Sequence, residues 1–449
     1  MSVDTVSMTG WGRTAPTTAL RFRPRTYEEA VAAVRGCGPR GSIARGLGRA
    51  YGDAAQNAGG SVLDMTALNR IRGTDAAGST VTCDAGVSLH RLMRAVLPLG
   101  RFPPVTPTTR YVTVGGAIAS DVHGRNQRVA GSFSRHVQAL ELLTADGDVR
   151  TVRPGTALFD ATAGGMGLTG VILSATIRLR PVATSLMSVT TERATDLDDL
   201  MARLTASGHR SSYTAAWIDL LARGRSTGRA VLTRGEHAPL DALPAHARRT
   251  PLVFRPARLP AVPAYVPEGL LGRTSVALLN GLRYRAAPRH RTGELQRISS
   301  FFHAMDGVPH WNRVYGRSGF VQYQFVVGNG QEETLRRIVG RISLRRCPAF
   351  HAVLGRFGES DPGWLSFPMP GWSLTLGLPA ALPGLAGFLD ELDEEVAAAG
   401  GRVCLAKDAR LRPETLAAMY PRLAEFRALR AELDPGGAFR SDLSRRLAL

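Results

Sequence analysis

Lysine is almost absent from this sequence. Of its 56 basic residues one is lysine, Lys407, and the rest are arginine. Such a skew reads as a composition bias that replaces lysine wherever arginine serves. The formal charge of +19 therefore says little about partners. The arginines are scattered, without a clustered patch or a nucleic-acid module, so nucleic acid is not an expected ligand. Cysteine is scarce as well. Cys37, Cys83, Cys347 and Cys404 lie far apart, with no CxxC and no metal-type spacing. Four reduced thiols are expected, and no metal. No HExxH occurs among the ten histidines. No apolar run approaches the length of a membrane-spanning helix. Residues 1–14 lack a basic region followed by an apolar stretch, so no signal peptide is expected and a cytoplasmic location is.

What is present suits a folded chain of two or three domains: 449 residues, 44% apolar and 21% charged. Thr26 and Glu29 make a capping box for a helix that Gly36 ends. SVLDM (61–65) and VTCDAGV (81–87) read as strands, and a helix is predicted from Leu89 to Leu97. Val137–Thr144 and Val149–Val152 flank Asp146-Gly147, a hairpin signal. Residues 168–179 alternate as a half-buried strand. Residues 237–267 hold seven prolines and read as a long mobile loop outside the core. Strands are predicted at Phe320–Val327 and Trp372–Gly377, and helices at Glu332–Ile342, Leu385–Ala399 and beyond Pro413. Hairpins mixed with helices, without regular βαβ alternation, predict an α+β fold.

Three glycine-rich segments carry the chemistry. Gly165-Met166-Gly167-Leu168-Thr169-Gly170 matches G-x-G-x-x-G but opens a strand, whereas a dinucleotide fingerprint must open a helix. It is read as a decoy for that motif. Arg45-Gly46-Leu47-Gly48-Arg49-Ala50-Tyr51-Gly52-Asp53 can converge successive backbone N–H groups on a phosphate. Thr113 to Gly124, TVGGAIASDVHG, is small and apolar enough for a flat ligand to lie against its backbone. Either loop alone is equally consistent with a tight turn.

In combination and order, these loops resemble the flavoprotein family of vanillyl-alcohol oxidase and p-cresol methylhydroxylase. ARGLGRAYGDAAQN (44–57), AIASDVHGRN (117–126), WNRVYGRSGFVQYQFV (311–326), SFPMPGW (366–372), AKDAR (406–410) and FRSDLSRRL (439–447) resemble the flavin oxidase subunits of decaprenylphosphoryl-β-D-ribose 2′-epimerases over nearly the whole chain. The resemblance implies a two-part FAD-binding domain from residues 1–184 and 402–449, and an antiparallel-sheet substrate domain flanked by helices at 185–401. It implies oxidation of the 2′-hydroxyl of a polyprenyl-phosphoryl ribose, with hydride passing to flavin N5. A partner reductase of the short-chain type would complete the epimerisation. Beside the resemblance, the apolar residues of the 237–267 loop, among them Leu240, Leu252, Phe254 and Leu259, suit it to accept lipid or rest on a membrane face, and a poorly ordered surface loop is the other reading.

The resemblance also assigns residues. FAD would meet Arg45, Gly46, Leu47, Gly48, Arg49, Ala50, Tyr51, Gly115, Gly116, Ser120, Val122, His123, Gly124, Asn126, Ile172 and Cys404. Substrate would meet Trp217, Tyr315, Gln322, Gln324, Arg356, Ser373, Thr375 and Lys407. For Trp217 and Tyr315, core packing is an equal reading. Lys407, His123 and Tyr51 are the catalytic candidates. Burial can push an ammonium towards neutrality and essentially cannot do so for a guanidinium, which gives the surviving lysine a reason to be there. Tyr51 stands where several relatives carry the histidine that bonds to the flavin, so non-covalent FAD is expected.

Some positions depart from the pattern. A substrate-side lysine is Gly355 here, beside Arg356, which could take over its phosphate contact. PGWSLT places Thr375 where the best-known members have a cysteine. Substrate identity is therefore open: a paralogous oxidase of another sugar, a nucleoside or an aldonolactone competes with the epimerase reading. A flavin-fold protein without catalysis, or a basic binding module, is the remaining alternative. Since that cysteine is the target of covalent nitroaromatic inhibitors, such a compound should leave no adduct on the protein by intact-mass measurement. An adduct mapped to 370–376 would contradict this.

Overall fold

The computed structural model describes residues 2–75, 77–206 and 211–449. The strands form three main sheets. The first has the order Ser2–Met8, Thr17–Arg23, Ser61–Asp64, Ser42–Arg45, with its last two pairings parallel. The second is antiparallel: Ile71–Thr74, Thr80–Asp84, Val171–Arg178, Val137–Leu143, Val149–Val152. The third is a larger antiparallel sheet, in the order His290–Arg297, Leu186–Ala194, Ala230–His237, Tyr213–Ile218, Ala352–Phe357, Gly371–Pro379, Phe320–Gly328, Arg402–Val403. The fold is α+β, and no doubly wound parallel sheet occurs among the described residues.

Strand alternation divides the large sheet into two chemically different faces. Tyr323, Phe325, Val327, Leu374, Leu376 and Leu378 face helices Leu197–Ala206, Glu332–Arg345 and Leu385–Ala398, which supply Leu200, Leu204, Leu335, Ile338, Ile342, Phe388 and Leu392 to one buried cluster. The intervening residues Gln322, Gln324, Ser373 and Thr375 take the other face. The same cluster includes Ile43, Val62 and Leu168 from the N-terminal part, and Leu416, Phe426 and Leu443 from the C-terminal helices. The C-terminal segment returns to the first sheet, where Arg440 N–H donates to the Ser42 carbonyl at 2.9 Å.

Most local expectations hold with adjusted ends. The first helix is Tyr27–Arg35, and Thr26 Oγ1 accepts from Glu29 N–H at 3.2 Å. The Glu29 carboxylate reaches one residue beyond the cap and accepts from Arg25 N–H at 2.7 Å. The hairpin forms around Gly147, whose φ of 86° demands glycine there. Two expectations need correction. Val171–Ala175 is buried on both faces, because Ile172 and Ser174 are covered as well as Val171 and Leu173. Only the distal half alternates.

The proline-rich segment also differs from a mobile loop outside the core. Leu243 is fully buried, and Leu252 and Phe254 pack on the cluster beneath the second sheet. Ser185 ties it down, donating N–H to the Pro251 carbonyl at 2.7 Å and Oγ–H to the Val253 carbonyl at 2.7 Å. Prolines remove donors but leave carbonyls, and Ser185, just before strand Leu186–Ala194, uses that of Pro251.

Arg446 joins the chain's end to its beginning. Its guanidinium holds both oxygens of Asp53, at 2.8 and 2.9 Å, and pairs with Asp408 at 2.9 Å. The Asp408 side chain is 2% exposed. Arg446→Met strands that carboxylate, and breaking such a buried pair costs about 3–5 kcal/mol. The expected result is a lower denaturant midpoint. An unchanged midpoint would show that the cluster carries no stability.

Candidate active site

One cavity of about 400 Å³ runs between the N-terminal loops and the large sheet. Its floor takes residues from the segments 44–51 and 112–125 other than Asp121, and from the loop around Met166-Gly167. Its opposite wall is built by register. Trp217 pairs with Val353, Val353 with Thr375, and Thr375 with Gln324. These positions, with Gly355 and Ser373 two residues further along their strands, all line the cavity.

The first loop follows strand Ser42–Arg45. Gly48 has φ 63°, and a Cβ on Gly46 would meet Thr113 Oγ1 at 2.2 Å. The loop thus lies against the start of helix Val114–Ala119, whose Thr113 cap accepts from Gly116 N–H at 3.2 Å. Arg45 braces the loop from behind, donating to the Ala55 carbonyl at 2.8 Å and the Thr9 carbonyl at 2.7 Å. The N–H groups of Leu47, Gly48, Arg49 and Ala50 have no acceptor among the described residues. Unpaired donors converging on a cavity suit a pyrophosphate. Arg49, stacked on Trp11 at 3.8 Å, adds charge beside them. These residues fit the pyrophosphate-binding end of an FAD site.

Lys407 belongs to a turn locked against this loop. Tyr51 N–H donates to the Ala406 carbonyl at 2.9 Å, and a Cβ on Gly52 would lie 1.9 Å from the Asp408 carbonyl oxygen. Lys407 makes no ion pair among the described residues, and burial pushes its ammonium down to about 8. Burial, and then the Lys407 charge, push His123 down to about 3, so it is neutral at physiological pH. Gln324 Nε2 lies 3.0 Å from His123 Nε2 and 2.9 Å from Ser373 Oγ. In this orientation His123 Nε2 accepts, leaving the proton on Nδ1. Burial raises the Tyr51 phenol well above its ordinary value.

The cavity brings together most of the expected site. Arg45 to Tyr51, Gly115, Gly116, Ser120, Val122, His123, Gly124, Ile172, Cys404, Trp217, Gln322, Gln324, Ser373, Thr375 and Lys407 line it. Three do not. Tyr315 stacks on Phe320 with ring centroids 4.3 Å apart and belongs to a separate core cluster. Arg356 alternates to the far side of its strand, where it stacks on Trp372 and donates to Thr205 and Asn329. It cannot replace the lysine missing at Gly355. Asn126 is buried and donates to the Pro104 carbonyl at 2.8 Å, bracing the loop.

The cavity also holds residues that sequence reasoning did not place there. Arg125, His351 and Arg283 line it, and so do Met166 and Gly167 of the decoy motif. Arg125 follows His123-Gly124 directly and was within reach of the motif. Arg283 comes from helix Arg273–Ala286, in a segment without any motif.

Comparison with known proteins agrees with this geometry. A family described as FAD binding domain matches residues 18–153, and one described as D-arabinono-1,4-lactone oxidase matches 381–447. The chain is 44% identical to the decaprenylphosphoryl-β-D-ribose oxidase of Mycolicibacterium smegmatis, over 99% of this chain and 98% of that one. The chain belongs to that oxidase family. It is 54% identical over 81% of its length to a Streptomyces coelicolor protein, covering all of the latter. It is 25% identical to a Streptomyces alditol oxidase, over 98% of this chain. The enzyme is thus an FAD-dependent oxidoreductase acting on a sugar CH–OH group, with its FAD held non-covalently.

The lock between the loops gives a test. Gly52→Ala drives a methyl group into the Asp408 carbonyl and must part the first loop from the Lys407 turn. The purified variant should carry markedly less FAD per chain, read from its visible and ultraviolet absorbance. Full occupancy would show that the contact does not hold the site together.

Proposed function

We propose that the enzyme oxidises the 2′-hydroxyl of a polyprenyl-phosphoryl-β-D-ribose to the 2′-keto sugar, the first half of an epimerisation to the arabinose donor of cell-wall arabinan. The observation that carries this reading is the end-to-end likeness to an oxidase of that name. Residues 1–184 and 402–449 hold FAD in this reading, and 185–401 covers it and holds substrate. Bound FAD supplies the hydride acceptor. The remaining task is to hold one carbinol and take one proton.

Lys407 is suited to the proton. With its ammonium near 8, an appreciable fraction is neutral at cellular pH and accepts the hydroxyl proton on Nζ. Neutral His123, fixed through Gln324 and Ser373, orients rather than donates charge. Gln322, Thr375 and Trp217 form the wall against which the sugar lies.

The lipid has a place outside the cavity. Helix Arg273–Ala286 turns Val276 and Asn280 inward and leaves Leu278, Leu279 and Leu282 at 63%, 43% and 54% exposure. Leu259 and Tyr265 are exposed on the preceding loop. An apolar face with arginines on the same helix suits a polyprenyl chain and peripheral contact with a membrane surface. A separate nicotinamide-dependent reductase of the short-chain type would return hydride to the ketone.

A second reading rests on the cavity wall itself. Thr375 and Gly355 both face the cavity and differ from the family pattern, which favours a paralogous oxidase of another sugar, a nucleoside or an aldonolactone. Anaerobic addition of farnesylphosphoryl-β-D-ribose to the holoenzyme separates the two. Bleaching of the flavin band is expected, and bleaching only by alditols or aldonolactones would favour the second reading. The rate of bleaching should rise with pH through about 8, as Lys407 loses its proton. Lys407→Met should abolish that limb; its persistence would remove Lys407 as the base.

A further inference from the structure

The lining of the cavity contains no aspartate or glutamate among the described residues, yet it contains Arg45, Arg49, Arg125, Arg283 and Lys407. Concentrated positive charge without counter-charge is costly in a protein interior. Elsewhere this chain pays its interior arginines back with carboxylates: Arg110 with Asp306, Arg229 with Asp219, Arg410 with Asp390 and Asp393, Arg446 with Asp53 and Asp408. In the cavity, Arg45 is satisfied by two carbonyls and Arg49 stands beside the pyrophosphate loop. Arg125 and Arg283 are left over.

Neither has a carboxylate or a hydrogen-bond acceptor among the described residues. Each is held by an aromatic ring instead: Arg125 over Phe301 at 4.7 Å, Arg283 over Trp217 at 4.5 Å. Stacking fixes a guanidinium's plane and leaves its N–H edge free. Arg283 and Arg125 repel one another, and burial, then the charges of Lys407, Arg283 and Arg125, push His351 down to about 4. Burial pushes each guanidinium down to about 10, which keeps both charged at neutral pH. Arg283 is nevertheless exposed to solvent over part of its side chain while it lines the cavity.

Its direction is built in. Asn280 Nδ2 donates to Asp219 Oδ1 at 2.9 Å, and Asp219 is itself held by Arg229. Arg283 lies three residues on, one turn along the same helix face. The anchor therefore turns Arg283 towards Trp217, while Leu278, Leu279 and Leu282 remain outside.

We propose that Arg125 and Arg283 form an anion subsite that takes the phosphate of a phosphorylated sugar, between the sugar at Lys407 and the lipid at the leucine face. It rests on the phosphoryl-sugar reading given above and names the residues that select the phosphate. Guanidinium suits the task because its fork matches two phosphate oxygens at once.

The test uses the FAD-loaded enzyme and flavin difference spectra. Three probes are titrated: farnesylphosphoryl-β-D-ribose, the uncharged farnesyl β-D-riboside, and inorganic phosphate. The native enzyme should bind the phosphoryl ligand at least about tenfold tighter than the riboside. Arg283→Gln should collapse that ratio towards one and flatten its salt dependence, with Arg283→Lys restoring part of it. Arg125→Gln should act in the same direction.

Three results would overturn the subsite. These are a ratio unaltered by Arg283→Gln; a fall of both affinities together, which marks a packing role; and loss of FAD by the variant, which assigns the pair to the cofactor's pyrophosphate. If farnesylphosphoryl-ribose fails to bleach the flavin while inorganic phosphate perturbs the native spectrum and not that of Arg283→Gln, the subsite stands and the substrate reading falls.

Discussion

The first glycine loop and the turn that carries Lys407 behave as one unit because nothing separates their backbones. Gly52 has no room for a side chain against the Asp408 carbonyl, Tyr51 donates to Ala406, and Arg446 ties Asp53 to Asp408. Residues some 350 positions apart in the chain thereby share one rigid contact. The donors suited to the cofactor's phosphates and the amine suited to the substrate's proton cannot move independently. Hydride transfer demands placement of this kind, since small errors between reacting groups are costly in rate.

Around that contact the cavity is positively charged and lined by no carboxylate among the described residues. The same burial has opposite uses for different groups. It brings Lys407 down to where it can exchange a proton near neutral pH, and it holds His123 and His351 neutral. Arginine, with a much higher intrinsic pKa, keeps its charge under comparable burial. On the proposed mechanism, a chain built almost entirely with arginine keeps one lysine where a labile proton is useful, and uses guanidinium where permanent charge is.

The large sheet does two jobs through one pattern. Leucines on alternate positions of Gly371–Pro379 hold three helices, and Ser373 and Thr375 between them face the cavity. Pairing carries the same division to Gln322 and Gln324 and to Val353 and Gly355. Arg356 shows the rule from the other side: one residue from a wall position, it points away. Tyr315 is likewise lost to the core, since its ring stacks on Phe320 before it can reach a ligand.

Local sequence determined the glycine loops, the hairpin at Asp146-Gly147, the helix started by Thr26, the α+β class and the family, because each depends on residues close together in the chain or on motifs kept in order. It also singled out Lys407, by rarity. Only the tertiary structure decided which side of a strand meets the cavity, that Arg356, Tyr315 and Asn126 lie off it, and that Arg283 reaches it from a helix without a motif. Those choices rest on strand register and on an Asn280–Asp219 anchor between distant segments. The proline-rich segment belongs with them, for its carbonyls and buried leucine find partners only once strand Leu186–Ala194 is in place.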